Sequence, residues 1–184
     1  MKWLVSVALI AVFCAGCNSE PRLAATEGFK SSDDAFFIIA VDPPNAMIDV
    51  DDGEIKDQQF SVMRTGRQPY MNIPDGGFIV GKTKGNGPLG ISWVKFLAGE
   101  TAYSGGPMFV ACRTNTVVFR AKPGKVVFAG SLSFSHDGRR AAFHAAPGNI
   151  DAARKYLISN YPLLADKLEP TEIEERVGDG GCGI

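Results

Sequence analysis

The sequence predicts a mainly β protein, namely an antiparallel β-sandwich followed by a short C-terminal helical segment. Three observations predict this fold class. Short apolar runs recur through residues 35–146 and are separated by turn residues. The 21 glycines and 11 prolines make up about a sixth of the 184 residues, as is typical of short strands joined by tight turns. No helix-length segment separates consecutive strands, so we expect antiparallel pairing.

The first predicted strands differ in their patterns. Residues 35–41 (AFFIIAV) form a continuous apolar run, which is typical of a buried strand. Residues 46–50 have the alternation of a strand, with Ala46, Ile48 and Val50 on one face, and residues 51–53 (DDG) are expected to form a turn after them. Further strands are predicted at residues 59–63, 70–73, 78–80, 89–97, 108–111, 116–121, 126–134 and 140–144.

The last predicted strands are expected to form a meander. Residues 122–125 (KPGK) place proline and glycine at the centre of a turn, which is the preference of a type II turn. A second turn is predicted at residues 136–139 (HDGR). Because both connections are short, we expect the three strands around them to pair in sequence order.

Helical periodicity occurs only near the C-terminus. Asn149 is suited to cap a helix over residues 150–160. One stripe of this helix is apolar: Ile150, Ala153, Leu157 and Tyr161. Pro162 is expected to open a second short helical segment at residues 163–168.

The first residues of the chain have the order of a secretory signal peptide. Lys2 supplies a positive charge, residues 3–13 are almost entirely apolar, and the small residues Ala15 and Gly16 precede a cysteine. An apolar run of this length is shorter than the roughly 20 residues that a helix needs to cross a bilayer. The pattern therefore predicts a signal peptide over residues 1–16 rather than a transmembrane helix.

Ala15, Gly16 and Cys17 resemble the lipobox of bacterial lipoproteins. Position 14 is Cys where that family usually has Leu, and a small hydrophobic residue is expected to be tolerated there. The resemblance implies that the Cys17 thiol is alkylated with diacylglycerol, that the chain is cut before it, and that the new amino group is acylated. Asn18, where an Asp would retain a lipoprotein in the inner membrane, implies sorting to the outer membrane, with the domain facing the periplasm.

A plain secretory signal is the alternative interpretation of the leader. Cleavage near Ala15 or Gly16 would then leave Cys17 as a free thiol close to the new N-terminus. A lone thiol in an oxidising compartment has no other evident purpose, and this favours lipidation.

Processing divides the chain into a tether, one domain and a tail. Removal of residues 1–16 leaves 168 residues, which is enough for one domain with a hydrophobic core. It also leaves 18 basic against 20 acidic residues, a net charge of −2 with no basic patch of the nucleic-acid-binding type. We expect residues 17–34 to be a polar, lipidated tether, residues 35–177 to form the β-sandwich domain with its helix, and residues 178–184 to be a flexible glycine-rich tail.

Two cysteines remain once Cys17 is lipidated. Cys112 and Cys182 would then form an even pair in a compartment that permits disulfides, so we predict a disulfide between them. The alternative is a buried core thiol at Cys112 and a free thiol at Cys182.

Residues 76–83 match the P-loop pattern G-x-x-x-x-G-K-[ST]. A P-loop needs backbone N–H groups curled around phosphate and a helix directly after them. Here the middle residues are Phe-Ile-Val, which favour an extended backbone, and Gly85, Gly87 and Pro88 oppose a following helix. We therefore expect a strand that ends in a surface loop, and no nucleotide binding.

The histidines and cysteines indicate no enzyme. His136 and His144 flank the predicted turn that contains Asp137, which is not a recognisable set of metal ligands, so a solvated hairpin is expected. Cys112 has no cysteine-enzyme signature around it. We predict no catalytic residue, no metal ion and no other cofactor.

Four acidic residues crowd one predicted turn. Asp49, Asp51, Asp52 and Glu54 have a spacing that could attract Ca²⁺, but the rest of a calcium-binding loop is missing. A weak or absent site is expected there.

Residues 44–53 (PNAMIDVDDG) resemble the opening of PEGA-type modules, with proline, a small alanine, an alternating strand and an Asp-Gly turn. Residues 74–78 (PDGGF) and 122–128 (KPGKVVF) are similar to turn-and-strand phrases in uncharacterised bacterial lipoproteins of that kind. The resemblance implies a surface β-sandwich module without catalysis, and it is a resemblance of fold only.

The sequence therefore predicts a bacterial cell-envelope lipoprotein that acts as a non-enzymatic structural or binding module. Its expected partners are the membrane, through the N-terminal lipid anchor, and other envelope proteins, with no nucleic acid and no nucleotide. The alternative is a periplasm-facing hydrolase or metal-dependent enzyme, which would need a cleft that gathers His136, His144 and carboxylates.

Overall fold

A computed structural model describes residues 23–63, 70–96 and 108–179. These residues form twelve strands and two helices. In chain order they are β1 (Asp34–Val41), β2 (Ala46–Lys56), β3 (Gln59–Val62), β4 (Tyr70–Asn72), β5 (Phe78–Lys84), β6 (Pro88–Phe96), β7 (Met108–Val110), β8 (Cys112–Arg120), β9 (Val126–His136), β10 (Ala141–Ala146), α1 (Ile150–Asn160), α2 (Pro162–Ala165), β11 (Leu168–Pro170) and β12 (Ile173–Asp179).

The strands form two sheets. The first has the strand order β10-β9-β1-β5, and β11 also pairs with β9. The second has the order β4-β2-β3-β12-β8-β6-β7, and β6 also pairs with β2. The extra pairing closes β2, β3, β12, β8 and β6 into a five-stranded ring, to which β4 and β7 are attached.

The prediction of a mainly β protein with a short C-terminal helical segment is confirmed, but purely antiparallel pairing is not. β1 and β11 both run parallel to β9, and β3 runs parallel to β12. Parallel strands need a long crossover, which is usually a helix. Here the crossover from β1 to β9 consists of strands, most of them in the second sheet, so the lack of intervening helices did not exclude parallel pairing.

The apolar run in β1 is explained by burial on both faces. One set of alternate side chains enters the main core between the first sheet and the ring: Ala35, Phe37, Ile39 and Val41. Phe36 and Ile38 enter a second core beneath α1 and α2. The two helices therefore form a third layer, called the helix layer below, on the outer face of the first sheet.

The predicted helix over residues 150–160 is confirmed at both ends. The Asn149 side chain accepts a hydrogen bond from the backbone N–H of Ala152 at 3.0 Å, as a helix cap does. Ala153 and Leu157 on the predicted stripe are buried. The second helical segment begins at Pro162 as predicted but ends earlier, because the chain enters β11 at residue 168.

The turn predicted at residues 51–53 is wrong. β2 continues through Gly53, and the hairpin turn lies at Asp57 and Gln58, whose φ angles are 49° and 66°. Gly53 does not make a turn. It lets the Phe60 ring pack directly against the backbone of β2, because a Cβ at this position would lie 2.4 Å from that ring.

The predicted meander is correct in its last hairpin only. The turn at residues 122–125 forms, with a 3.0 Å hydrogen bond from Lys125 N–H to the Lys122 carbonyl and a φ of 72° at Gly124. However, β8 before this turn belongs to the ring and β9 after it belongs to the first sheet. The turn therefore carries the chain from one sheet to the other, and only β9 and β10 pair as a hairpin.

The last strand was not expected from the sequence. β12 lies between β3 and β8 and pairs with β8 along its whole length. It includes Gly178 and Asp179, the first two residues of the segment expected to be a flexible tail. Residues 180–184, like the predicted signal peptide over residues 1–16 and the lipidation site Cys17, lie outside the described residues.

Candidate functional site

The described part of the predicted tether lies against the helix layer. Leu23 and Phe29 pack on the second core, and the rings of Phe29 and Phe36 meet edge to face with centroids 4.8 Å apart. The Tyr161 hydroxyl donates a hydrogen bond to the Leu23 carbonyl oxygen at 3.2 Å. This segment is therefore attached to the domain, and only residues 17–22 of the predicted tether lie outside the described residues.

Two carboxylates hold the Lys82 ammonium beside this segment. Lys82 Nζ lies 2.9 Å from Asp34 Oδ2 and 3.0 Å from Glu27 Oε1. The ammonium, helped by the backbone N–H groups of Lys30 and Ser31, lowers the pKa of Asp34 to about 2. It also lowers the pKa of Glu27. The cluster therefore ties the N-terminal segment to β1 and β5 by charge as well as by packing.

Lys82 is also the lysine of the segment that matches the P-loop pattern. Gly76 and Gly77 form a turn, and the rest of the segment lies in β5, which pairs with β1 along its whole length. The extended backbone predicted for Phe-Ile-Val is therefore confirmed. The next element is β6, which begins at Pro88, and not a helix. The Lys82 ammonium forms ion pairs with Asp34 and Glu27 of the same chain. The lack of nucleotide binding stays a prediction.

Replacement of Lys82 by alanine should lower the Tm at pH 7, because Asp34 is buried and would lose its cation. A depressed carboxyl pKa stabilises the native state above the ordinary value of 3.8, and this contribution is lost as the pH falls toward about 2. The difference in Tm between Lys82→Ala and the unchanged protein should therefore shrink over that window. Lys84→Ala, at an exposed position of the same strand, is the control. A Tm difference that is independent of pH would contradict this role of Lys82.

A groove of about 460 Å³ opens beside β9. β11 pairs with the start of β9 and β10 with its end, and the groove lies where these two strands diverge. Its lining is mainly apolar: Phe128, Ala145, Pro147, Ile150, Pro170 and Ile173. Sequence reasoning missed the groove because it predicted neither β11 nor β12.

A carboxylate marks the rim of the groove. Glu175 accepts a hydrogen bond from the backbone N–H of Ala145 at 3.2 Å and another from the Asn115 side chain. His144 Nδ1 lies 3.8 Å from the same carboxylate. The groove therefore combines an apolar floor with one acidic group fixed at its edge.

Asp49 is a buried carboxyl group in β2, a strand of the ring. Its side chain is 2% exposed, and burial, with repulsion from Asp51, raises its pKa to about 7, although hydrogen bonding from Trp93 opposes the rise. Asp49 Oδ1 and the nearby Ser92 Oγ have no hydrogen-bond partner within the described chain. Asp49 lies in β2 as the predicted strand over residues 46–50 implied, and Met47 and Trp93 pack together on the outer face of this strand.

The two histidines have separate surroundings on the predicted hairpin. The His136 ring stacks on Phe109 with centroids 4.2 Å apart, while His144 faces Glu175. Both histidines are exposed. Across residues 23–63, 70–96 and 108–179, no group of three or more His, Cys, Asp or Glu residues is placed to hold a metal ion.

Cys112 begins β8 and is disulfide-bonded. The other three cysteines of the sequence, Cys14, Cys17 and Cys182, lie outside the described residues. The strand register places Asp179 directly opposite Cys112, so Cys182 follows only three residues later. The predicted pairing of Cys112 with Cys182 therefore agrees with the position of β12 and stays a prediction.

By its fold and these sites, the chain belongs to the general class of small β proteins, with a closed five-stranded ring, a helix layer and an apolar groove. No family model, no curated protein and no solved structure matches this chain. Within the described ranges, neither helix has the length and apolar character needed to span a membrane.

Proposed function

We propose that this chain is a lipid-anchored lipoprotein of the bacterial cell envelope that acts as a non-enzymatic binding or structural module. The single observation that carries the anchoring is the order of the first residues, a positive charge, an apolar run, then Ala15, Gly16 and Cys17. The Cys17 thiol is the proposed lipidation site, and Asn18 after it supports the outer membrane as the destination.

The position of the N-terminal segment supports this proposal. Leu23 is already packed on the domain, and Cys17 precedes it by six residues. A fully extended chain of this length spans at most about 22 Å. A lipid on Cys17 would therefore hold the domain next to the membrane surface instead of at the end of a long linker.

The groove beside β9 supports a binding role. Its volume of about 460 Å³ lies in the range of ligand sites, which are mostly apolar with a few fixed polar groups. Glu175 supplies such a group at the rim. We propose that the groove receives an apolar group of another envelope protein.

Replacement of Cys17 by alanine should abolish labelling with a palmitate analogue and release the protein into the soluble fraction. The reason is that each buried CH₂ group contributes about 0.8 kcal/mol to membrane binding, so loss of several acyl chains removes the anchor. Cys14→Ala is the matched control and should leave both labelling and membrane attachment intact. Density-gradient separation of the two membranes tests the outer-membrane destination. Membrane retention of the Cys17→Ala protein would refute the anchor.

A further inference from the structure

The most exposed apolar side chains lie in the helix layer. Among the described residues, Leu163 is 62% exposed and Ile158 is 59% exposed. The remaining large apolar side chains with high exposure are 45–47% exposed and lie in other parts of the fold: Met63, Met108 and Val177. Scattered exposed apolar residues need no explanation, but these two share one layer.

The N-terminal segment runs past Leu163, one of these two residues. A Cβ on Gly28 would lie 3.5 Å from Leu163 Cδ1, and the Tyr161 hydroxyl binds the Leu23 carbonyl oxygen. Because Cys17 is within about 22 Å of Leu23, a lipid on it is tied to the helix-layer side of the domain. The ring lies beyond the first sheet, and packed sheets are about 10 Å apart, so the ring is farther from the anchor.

We infer that the helix layer is a membrane-contacting surface, with Ile158 and Leu163 inserted at the bilayer interface. This inference rests on the proposed lipid anchor, which would bring the layer to the membrane. The anchor supplies the attachment, and the two apolar side chains set the orientation of the domain. An interfacial helix face of this kind is buried about 5–10 Å into the boundary between headgroups and acyl chains.

The charges of the layer decide which lipid it requires. Exposed Lys155 and Lys167 are matched in number by exposed Asp151 and Asp166. The guanidinium of Arg154, the remaining basic group of the layer, donates hydrogen bonds to the Ala165 and Leu168 carbonyl oxygens. The layer therefore gains little from an anionic surface, which attracts unmatched basic residues. Contact should form on zwitterionic phosphatidylcholine and should change little with salt.

The test is tryptophan quenching in the lipidated, full-length protein. Variants Ile158→Trp and Leu163→Trp are purified from membranes and reconstituted into phosphatidylcholine vesicles whose acyl chains carry bromine. The emission that each introduced tryptophan adds to that of Trp93 should fall by about half, as expected for a side chain at the interfacial depth. Met108→Trp and Val177→Trp, at exposed apolar positions outside the layer, are the matched controls and should keep their emission.

The outcomes separate the inference from the proposed function. Lipidated protein in which positions 158 and 163 are not quenched, or are quenched no more than positions 108 and 177, overturns the membrane-contacting surface and leaves the anchor in place. Protein without lipid on Cys17 by mass spectrometry overturns both. All four positions are exposed, and an unchanged Tm of each variant shows that its fold is intact.

Discussion

Replacing Asp49 by asparagine should raise the free energy of unfolding at pH 8 by about 3 kcal/mol. Asp49 is buried, its Oδ1 has no hydrogen-bond partner in the described chain, and no cation is paired with it there. A change in pKa from 3.8 to about 7 corresponds to about 4 kcal/mol against the charged form. Asparagine removes the charge but still buries polar atoms, so not all of this energy is recovered.

The effect has a defined pH window. Between the ordinary value of 3.8 and about 7, the native state holds a proton on Asp49 that the unfolded chain has lost. Stability of the unchanged protein therefore falls as the pH rises through this window, and Asp51, whose pKa burial also raises, acts in the same direction. The depressed carboxyl groups Asp34 and Glu27 act at lower pH and with the opposite sign.

Chemical denaturation at several pH values between 4 and 8 measures the prediction. The Asp49→Asn protein should match the unchanged protein near pH 4 and exceed it increasingly up to pH 8. Asp166→Asn, at an exposed position after α2, is the control and should show no such divergence. Stability curves for Asp49→Asn and the unchanged protein that stay parallel over this range would show that Asp49 is not held protonated by the fold.

Replacing Cys182 by serine should lower the free energy of unfolding by about 4 kcal/mol, as expected for a cross-link that closes a loop of about 70 residues. The physical reason is that the cross-link restricts the unfolded chain, and its loss restores that freedom. Cys112, the proposed partner, lies opposite Asp179 in the register of β12 and β8. Three further residues span at most about 11 Å, which places Cys182 within reach of Cys112.

Three variants distinguish this disulfide from the other pairings of Cys112. Cys112→Ser, Cys182→Ser and the double variant should lose the same stability, because each removes the same bond. Non-reducing peptide mapping should find the two cysteines in one linked peptide pair. If Cys182→Ser is as stable as the unchanged protein, Cys112 is bonded to Cys14 or Cys17, and a bond to Cys17 would also exclude lipidation there.

Local features of the fold were predictable from the sequence because their causes are local. Asn149 caps α1 and Pro162 opens α2 with its fixed φ, and both residues act within one turn. The turn at residues 122–125 forms because proline and glycine supply its two central conformations. The apolar run of β1 indicated a buried strand, and its contacts with two cores explain why both faces are apolar.

The candidate sites depended on features that local sequence does not encode. The groove forms because β11 and β12 pair with strands that are distant in sequence, and neither strand has a strong pattern of its own. Lys82 has the sequence context of a phosphate-binding lysine, but its ammonium group forms ion pairs with Asp34 and Glu27.

The leader pattern and its lipidation hypothesis come from the sequence by itself, as do the mainly β class and the capped helix. The tertiary structure decided the closure of the ring, the burial of Asp49 and the role of Gly53. Gly53 and Gly90 are adjacent to the Phe60 ring, where a Cβ would lie 2.4 Å and 2.3 Å from its atoms. A glycine that permits such an approach looks the same in sequence as a glycine that makes a turn. The difference arises only when residues far apart in the chain are packed together, since close packing is a property of the assembled core.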